Sequence, residues 1–331
     1  MRSNGVHSSD EPATPQRRPR VSVVIPTYAR IDLLHEAIAS VLPARQAELI
    51  VVDNNSPDRI GQQISRTYGP NVRVVHMRRN TFYAGAVNAG FAAARGEILV
   101  ALNDDAFIET DWVASILDTF DSNPRAGTVA SLVIRREDGR VDSAGDQLDV
   151  SGRATNIGHG TAVSEHCKWR RVFSASGSCA AYRRSALQVS GLFDERFGGY
   201  YEDVDLGFRL QLAGFECIYN PQCRASHIGG ATYKARRKAI FLTERNMVWN
   251  LVKNMPAELL VKHLRPILSA HAQPAPIDGG GSLRQWSAGK AAAALNLREM
   301  LAARRHIQGA RSVSVAHIES MLVGSVPSVH L

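Results

Sequence analysis

Short apolar runs alternate with helical patterns in the first third of the chain. Four runs, each rich in β-branched residues or leucine and ended by polar or turn-forming residues, predict buried strands: 21–25, 49–52, 72–75 and 98–102. Between the first two runs, apolar residues recur at helical spacing from Ile31 to Leu42. Strands that alternate with helices across short connections form parallel sheets with right-handed crossovers. The pattern therefore predicts an α/β protein with a doubly wound, mostly parallel sheet.

The pattern changes in the second part of the chain. Apolar residues on one face predict a helix over 111–120. Three short runs then predict the strands of a smaller mixed sheet: 129–134, 141–144 and 147–150. A helix is predicted to begin at Glu202, and a strand over 218–219 is predicted to end at Asn220. Good helix propensity over 291–305 predicts that the C-terminal part is helical.

Polar residues follow three of the predicted strands where each strand ends. They are Thr27 with Tyr28, Asp53 with Asn54, and Asp104 with Asp105. Ligands of α/β sheets bind beyond the carboxyl ends of the strands, so we expect these side chains to meet in one crevice. An acidic pair there suits Mg²⁺ or Mn²⁺ that carries substrate phosphates, although Asn and Asp are also common in turns and helix caps.

The loop after the first strand excludes two classes of nucleotide-binding protein. It reads Pro-Thr-Tyr-Ala-Arg over 26–30, without a glycine. A dinucleotide-dependent dehydrogenase would need the glycine-rich fingerprint at this place, and the chain has no Walker A motif either. A nucleotidyltransferase would likewise be expected to have a glycine-rich basic loop here. We therefore expect phosphates to be held by a metal ion and side chains.

Composition is that of an ordinary globular protein with a basic excess. The chain has 331 residues, of which 44% are hydrophobic and 21% charged, and its formal net charge is +8. Such an excess favours anionic partners, for example a phosphorylated substrate or an acidic membrane surface, but it is also common without any such role. No run reaches the roughly 18 apolar residues of a membrane-spanning helix. The four cysteines form no CxxC pair, which favours a reduced compartment.

A second group of acids precedes the helix predicted at Glu202. Glu202, Asp203 and Asp205 follow a Gly-Gly-Tyr-Tyr loop. Acids in the first turn of a helix often serve only as caps, but a carboxylate placed in this way could also act as a general base. His227 lies shortly before Gly229-Gly230. It could be a structural or surface histidine, or a ligand for Mn²⁺ beside carboxylate and phosphate oxygens.

Five segments resemble, in this order, the motifs of the family 2 glycosyltransferases. They are 23–28, 51–56, 80–90, 102–106 and 201–206. The resemblance extends from about Val21 to Asn254, and its closest subgroup is that of the rhamnosyltransferase-like enzymes of bacterial surface polysaccharide assembly. It implies the GT-A fold (the nucleotide-diphospho-sugar transferase fold) and transfer of a sugar with inversion of configuration.

The resemblance also implies roles for individual residues. Those implied to contact the nucleotide-sugar donor are Pro26, Thr27, Tyr28, Asp53, Asn80, Gly85, Asn88 and Asp104. Asp105 and His227 are implied to bind Mg²⁺ or Mn²⁺, and Asp203 to be the catalytic base, with Glu202 beside it. Asn103 occupies the first position of the metal motif, where the family usually has an acid, so Asp105 is the safest metal ligand.

The implied division of the chain has three parts. We expect a flexible basic tail over 1–20, without a secretory signal, and a glycosyltransferase domain over 21–255. Within that domain, 21–106 would bind the nucleotide sugar and 107–255 would bind the acceptor and carry the catalytic base. A helical extension would follow over 256–331.

The expected partners are small molecules. The donor would be a dTDP- or UDP-sugar and the acceptor a saccharide or a lipid-linked hydroxyl, with no nucleic acid involved. The protein would be cytoplasmic, and the basic run 234–238 would either attract it to the inner face of the plasma membrane or be an ordinary solvated charge run. Whether copies associate stays open. The alternative function is a non-catalytic nucleotide-sugar-binding protein on a degenerate transferase fold.

Overall fold

The structure is a computed structural model that describes residues 19–109, 111–229, 233–272 and 283–324, with the backbone alone over 233–236. Most of the predicted basic tail lies outside the described residues, as do the side chains at the start of the predicted basic run. Among the described residues, no helix combines the length and the apolar character that crossing a membrane requires.

The described residues form twelve strands and twelve α-helices. The strands are β1 (Val21–Thr27), β2 (Ala47–Asp53), β3 (Arg73–His76), β4 (Ile98–Leu102), β5 (Ala106–Ile108), β6 (Ala126–Arg135), β7 (Val141–Ser143), β8 (Asp146–Leu148), β9 (Ala154–Asn156), β10 (Arg170–Val172), β11 (Cys179–Arg183) and β12 (Glu216–His227). The helices are α1 (Ile31–Val41), α2 (Ile60–Tyr68), α3 (Phe82–Ala93), α4 (Trp112–Ser122), α5 (Arg184–Ser190), α6 (Glu202–Leu212), α7 (Tyr233–Asn254), α8 (Ala257–Lys262), α9 (Leu264–His271), α10 (Leu283–Leu295), α11 (Leu297–Gly309) and α12 (Val315–Met321).

Ten strands form one large sheet, in which the main path runs β10-β12-β6-β11-β4-β1-β2-β3. The four strands predicted first are parallel neighbours in the order β4-β1-β2-β3. The antiparallel strand β11 then joins β4 to β6, which is parallel to β12. Strands β5 and β7 pair with β12 and β6, and β8 with β9 forms a separate hairpin. The predicted doubly wound, mostly parallel sheet is confirmed. The runs 129–134 and 141–144, which we expected in the smaller mixed sheet, instead belong to the large sheet as β6 and β7, and the small sheet is the antiparallel β8–β9 hairpin.

Two predicted elements differ from the structure. The strand predicted to end at Asn220 continues to His227, because a shift in register against β6 between Asn220 and Arg224 accommodates Pro221. The single helix predicted over 291–305 is interrupted at Asn296, which separates α10 from α11.

The C-terminal helices pack on α7. Trp249 of α7 donates a hydrogen bond from Nε1 to the carbonyl of Ala293 in α10, at 3.2 Å. Gly289 of α10 lies so close to α7 that an added Cβ would come within 2.7 Å of the carbonyl oxygen of Phe241. Ala293 and Met300 are fully buried in an apolar cluster that also contains Phe197. The C-terminal helices therefore share a core with the loop that precedes α6.

Helix α3 packs tightly on the parallel strands through Gly90. A Cβ added there would lie 2.2 Å from Cγ1 of Val24 in β1 and 3.0 Å from Cγ2 of Val52 in β2. Both valines are completely buried, so neither can move aside without disturbing the core. The absence of a side chain at Gly90 is therefore what allows this helix to lie so close to the sheet.

We predict that Gly90→Ala lowers the free energy of unfolding by about 1–3 kcal/mol, because the extra methyl overpacks the core. Urea unfolding followed by circular dichroism measures the change. Gly309→Ala is the matched control, since nothing lies within 4 Å of its added Cβ at the end of α11. Equal stabilities of the two variants would contradict this account of α3 packing.

Candidate active site

The parallel pairing of β1 with β4 brings two of the predicted site residues together. Thr27 ends β1, and Asp104 follows β4 after two residues. The Thr27 hydroxyl donates a hydrogen bond to Oδ2 of Asp104 at 2.8 Å, and both side chains are buried. Burial raises the pKa of Asp104 to about 6, and the neighbouring charge of Asp105 adds to this effect.

A cleft of about 380 Å³, called cleft A below, lies beyond these strand ends. The predicted site residues that line it are Pro26, Thr27, Tyr28, Asn80, Asp104 and Asp105. Other lining residues are Arg30, Asn54, Phe82 and Lys238. The side chains of Tyr28 and Phe82 are about half exposed, at 48% and 49%. Cleft A therefore offers apolar ring surfaces and two cationic groups.

A second cleft of about 670 Å³, cleft B, adjoins cleft A. The predicted residues that line it are Glu202, Asp203, Asp105 and His227. Both clefts share the following residues in their linings: Arg30, Tyr83, Asn103, Asp105, Gly199 and Tyr200. Asp105 therefore lies where the two clefts meet.

The pairing of β5 with β12 places His227 beside Asp105. His227 is opposite Ala106 in this antiparallel pair, and the backbone N–H of Ile228 donates to the Asp105 carbonyl at 3.1 Å. His227 Nε2 lies 3.2 Å from Oδ1 of Asp105, while Arg30 donates to the other oxygen at 2.9 Å. Burial would raise the pKa of Asp105, but the hydrogen bond from His227 and the charges of His227 and Arg30 hold it below its usual range.

The other ring nitrogen of His227 faces the carboxylate of Asp142. Nδ1 lies 2.8 Å from Oδ2 of Asp142 in β7. Burial lowers the pKa of His227, but its hydrogen bonds with Asp105 and Asp142 raise it to about 9. His159 contacts Asp142 from another side, with Nδ1 3.4 Å from Oδ1. Sequence reasoning missed Asp142, because only the pairing of distant strands brings it to this site. It also missed His159, which lies in a turn after β9.

Among the described residues, no group of three or more His, Cys, Asp and Glu side chains is arranged to hold a metal ion. Asp105 and His227 form a pair of facing donors, and Arg30, which contacts Asp105, is partly exposed. Mg²⁺ in phosphate-transfer sites is often held by only one or two carboxylates together with substrate phosphates and water. The pair thus fits a cation that is completed by a bound diphosphate.

The two acids at the start of α6 differ in their hydrogen bonds. Asp203 accepts from the backbone N–H of Gly177 at 2.7 Å and from that of Val204 at 2.8 Å. Burial raises the pKa of Asp203 above its usual range, although these two hydrogen bonds oppose the shift. Burial and the charge of Asp203 raise the pKa of Glu202 well above its usual range, and its Oε2 is buried without a hydrogen-bond partner. Asp203 is therefore the better of the two at carrying negative charge.

The third acid of the cluster, Asp205, is part of a buried ionic network. Its carboxylate lies 2.8 Å from Lys253 Nζ and 2.9 Å from Arg209 Nη2, and it accepts from Asn254 at 2.8 Å. The side chain is completely buried, away from both clefts. Asp205 thus ties α6 to α7. The local pattern of acids did not distinguish it from its two neighbours, whereas the family resemblance left it out of the site.

Helix α7 also fixes the loop that precedes α6. Asn246 donates from Nδ2 to the carbonyls of Phe197 at 3.0 Å, Gly199 at 3.0 Å and Tyr200 at 2.7 Å. Tyr200 and Tyr201 have φ angles of 64° and 68°, which bulky residues rarely adopt. Asn246 therefore stabilises a strained loop that lines both clefts and leads directly into Glu202 and Asp203.

Three predicted donor-contact residues do not line cleft A or cleft B. Asp53 accepts from the backbone N–H groups of Ser56 at 2.8 Å and Gly61 at 2.9 Å, so that it closes the loop after β2. Asn88 exchanges two hydrogen bonds with the backbone of Phe193. A Cβ at Gly85 would lie 2.6 Å from Cβ of Thr81. In the structure these three residues therefore stabilise the fold around cleft A: the side chains of Asp53 and Asn88 bind nearby backbone groups, and Gly85 packs closely against Thr81.

Asn54, which follows β2 and was expected in the crevice, lines cleft A, although the family resemblance implied donor contact for Asp53 and not for Asn54. Its Nδ2 donates to the carbonyl of Phe82 at 2.9 Å, and its Oδ1 accepts from the backbone N–H of Thr81 at 2.9 Å. Both bonds fix the start of α3 against the end of β2. Its place directly after a strand that ends at the crevice is the signal that identified it in the sequence.

We predict that Asn246→Ala lowers the free energy of unfolding by about 1–3 kcal/mol, because the strained loop loses the hydrogen bonds that Asn246 donates to its carbonyls. Chemical unfolding in urea measures this. Asn296→Ala is the control, since Asn296 is exposed and donates to a single carbonyl, that of Ala292. If both variants have the stability of the wild type, α7 does not hold the loop in the way described.

Comparisons with known proteins identify the family and the fold. The sequence model described as "Glycosyl transferase family 2" matches residues 22–191. The N-acetylglucosaminyl-diphospho-decaprenol L-rhamnosyltransferase of Mycobacterium tuberculosis is 32% identical over 232 residues, which cover 62% of this chain and 75% of that protein. The uncharacterized protein y4gI of Sinorhizobium fredii is 30% identical over 63% of this chain, which spans only 24% of its length.

Two solved structures share the fold. The mannosyltransferase PcManGT from Pyrobaculum calidifontis, in complex with GDP-Man and Mn²⁺, has a TM-score of 0.54 at 21% identity, covering 89% of this chain and 87% of its own. S. aureus TarS 1-349 has a TM-score of 0.55 at 14% identity, covering 91% and 90%. The GT-A fold that the sequence resemblance implied is thus confirmed. This chain belongs to glycosyl transferase family 2.

Proposed function

We propose that this chain is an inverting glycosyltransferase that moves a sugar from a nucleotide-diphosphate donor in cleft A to a hydroxyl of an acceptor in cleft B. The observation that carries the proposal is the meeting of the two clefts at Asp105, with Asp104 on one side and Asp203 on the other. A donor diphosphate at this boundary would present its anomeric carbon to cleft B.

Cleft A has the chemistry that a nucleoside diphosphate requires. The half-exposed rings of Tyr28 and Phe82 offer surfaces on which a base can stack. Arg30 and Lys238 supply positive charge for the diphosphate, and Lys238 Nζ lies 4.1 Å from the centre of the Phe82 ring. In this proposal Asp104, held by Thr27, contacts the ribose.

Asp203 is the proposed general base. The acceptor oxygen attacks the anomeric carbon, and Asp203 takes the proton of that hydroxyl. The bond between the anomeric carbon and the diphosphate oxygen breaks, and its electron pair leaves with the nucleoside diphosphate. Because the acceptor approaches from cleft B and the diphosphate leaves into cleft A, attack and departure occur on opposite faces of the sugar, which inverts its configuration.

Asp105 and His227 would hold Mg²⁺ or Mn²⁺. When bound, the cation would supply positive charge that offsets the charge developing on the leaving diphosphate. A carboxylate suits both Mg²⁺ and Mn²⁺, and the imidazole, a ligand that transition metals accept, favours Mn²⁺ over Mg²⁺. The solved mannosyltransferase with GDP-Man and Mn²⁺ supports a cation in this fold. Arg30 would then be free to turn from Asp105 toward the diphosphate.

The sugar and acceptor follow by analogy with the relatives. The name of the M. tuberculosis N-acetylglucosaminyl-diphospho-decaprenol L-rhamnosyltransferase supports rhamnose as the transferred sugar and a saccharide or lipid-linked hydroxyl as the acceptor. The proposed carrier of the sugar is dTDP or UDP. The O-antigen biosynthesis protein RfbC of Myxococcus xanthus, 27% identical over 66% of this chain and matched over 18% of its own length, supports a role in surface polysaccharide or cell-wall assembly. The net charge of +8 would favour contact with an anionic membrane that carries a lipid-linked acceptor.

We predict that Asp203→Asn lowers kcat by roughly 10²–10⁴-fold, because the acceptor hydroxyl loses its base. Donor binding, followed as thermal stabilisation by UDP- and dTDP-sugars with Mn²⁺, should be unchanged. Glu137→Gln is the control, because Glu137 is an exposed acid that lies far from Asp203 in the sequence. Near wild-type turnover in Asp203→Asn together with a large loss in Glu202→Gln would show that the wrong acid has been named.

We also predict that the two acids after β4 have separable effects. Asp105→Ala should abolish activation by Mn²⁺. Asp104→Ala should instead raise the donor KM by roughly 10–100-fold, because the donor loses a hydrogen bond to a charged group. Initial rates over a matrix of Mn²⁺ and donor concentrations separate the two effects. The same loss of Mn²⁺ activation in both variants would show that the acids share the cation.

A further inference from the structure

Asp142 contacts the predicted cation site without belonging to the ligand pair. Its Oδ2 lies 2.8 Å from Nδ1 of His227, on the opposite side of the ring from the nitrogen that faces Asp105. Its side chain is 18% exposed and lines cleft B. The proposed transfer reaction leaves this carboxylate without a role.

The sheet places Asp142 and His227 together independently of any ligand. Strand β6 pairs with β7 on one side and with β12 on the other. Ile134 of β6 is opposite Val141, and Arg135 is opposite His227. The backbone N–H of Arg136 also donates to the His227 carbonyl at 2.9 Å. The two side chains therefore meet across a single intervening strand, which fixes their separation.

A carboxylate at this position determines what the other ring nitrogen can do. An ionised carboxylate accepts hydrogen bonds and cannot donate them, so Nδ1 of His227 must carry a proton to make this contact. In the neutral ring that leaves the lone pair on Nε2, which faces Asp105 and the boundary of the clefts. A second partner keeps Asp142 itself in place, since His159 Nδ1 contacts both its carbonyl, at 2.9 Å, and its Oδ1, at 3.4 Å.

We propose that Asp142 is a positioning residue, which orients the His227 ring and selects the tautomer that presents Nε2 as a cation ligand beside Asp105. His159 holds Asp142 in this role. The inference rests on the proposed function, in which Asp105 and His227 bind the cation. Carboxylates that support a metal-bound histidine in this way raise metal affinity by about 10–100-fold.

The test measures Mn²⁺ affinity directly, by the electron paramagnetic resonance signal of free Mn²⁺ in titrations of the full chain with UDP present. Asp142→Ala should weaken Mn²⁺ binding by about 10–100-fold. Asp142→Asn should recover much of the loss, because the amide oxygen can still accept from Nδ1. In rate assays, Asp142→Ala should raise the Mn²⁺ concentration for half-maximal activity and largely preserve kcat at saturating Mn²⁺.

Asp138→Ala is the matched control. Asp138 lies in the turn of the same β6–β7 hairpin, is exposed, and contacts Arg135 and the backbone of Arg140. The Asp138→Ala variant should bind Mn²⁺ with the affinity of the wild type. Thermal unfolding of all variants reports whether each is folded.

The outcomes separate the two proposals. Equal Mn²⁺ affinities of the wild type, Asp142→Ala and Asp142→Asn would overturn the role of Asp142 while leaving the cation site intact. An absence of Mn²⁺ binding by the wild type in the presence of UDP would overturn the cation site itself, and the role of Asp142 with it. A loss in Asp138→Ala as large as that in Asp142→Ala would show that the hairpin, and not the carboxylate, is responsible.

Discussion

The parallel pairing of β1 with β4 is the constraint on which the site depends. It brings Thr27 against Asp104 at the carboxyl ends of two buried strands, and it places Asp105 at the boundary between the two clefts. Strand β12 then reaches the same boundary through its pairing with β5, which sets His227 next to Asp105. Backbone hydrogen bonds, which side-chain changes leave largely intact, therefore determine where the charged groups meet.

Buried polar interactions hold Asp203 at the edge of cleft B. The loop before α6 contains two tyrosines in left-handed conformations, and such strain persists only where the surroundings enforce it. Asn246 supplies hydrogen bonds to this loop, and the Asp205–Lys253 ion pair joins α6 to α7. Separating α6 from α7 would leave a buried charge without its partner, which is strongly destabilising, so the two helices keep their relative positions.

The sequence predicted the sheet well because buried parallel strands are short apolar runs, and it predicted a crevice because polar residues followed three of them. The residue pattern by itself could not divide roles among neighbours, and only the family resemblance implied Asp203, rather than Asp205, as the base. Asp203 and Asp205 are two residues apart, yet one lines a cleft and the other is buried in an ion pair. Asp142 was missed for a related reason: its partner His227 is 85 positions away, and only strand pairing reveals the contact. The strand over 218–219 was predicted to end before Pro221, but it continues because a shift in register accommodates the proline.

The most direct test of the account is a crystal structure of the protein grown with Mn²⁺ and UDP or dTDP, with the metal located by its anomalous scattering. The account predicts a Mn²⁺ peak between Asp105 and His227, a nucleoside in cleft A against Tyr28, and a diphosphate that ends at the boundary with cleft B. A nucleotide bound outside cleft A, or a Mn²⁺ ion that touches neither Asp105 nor His227, would contradict it.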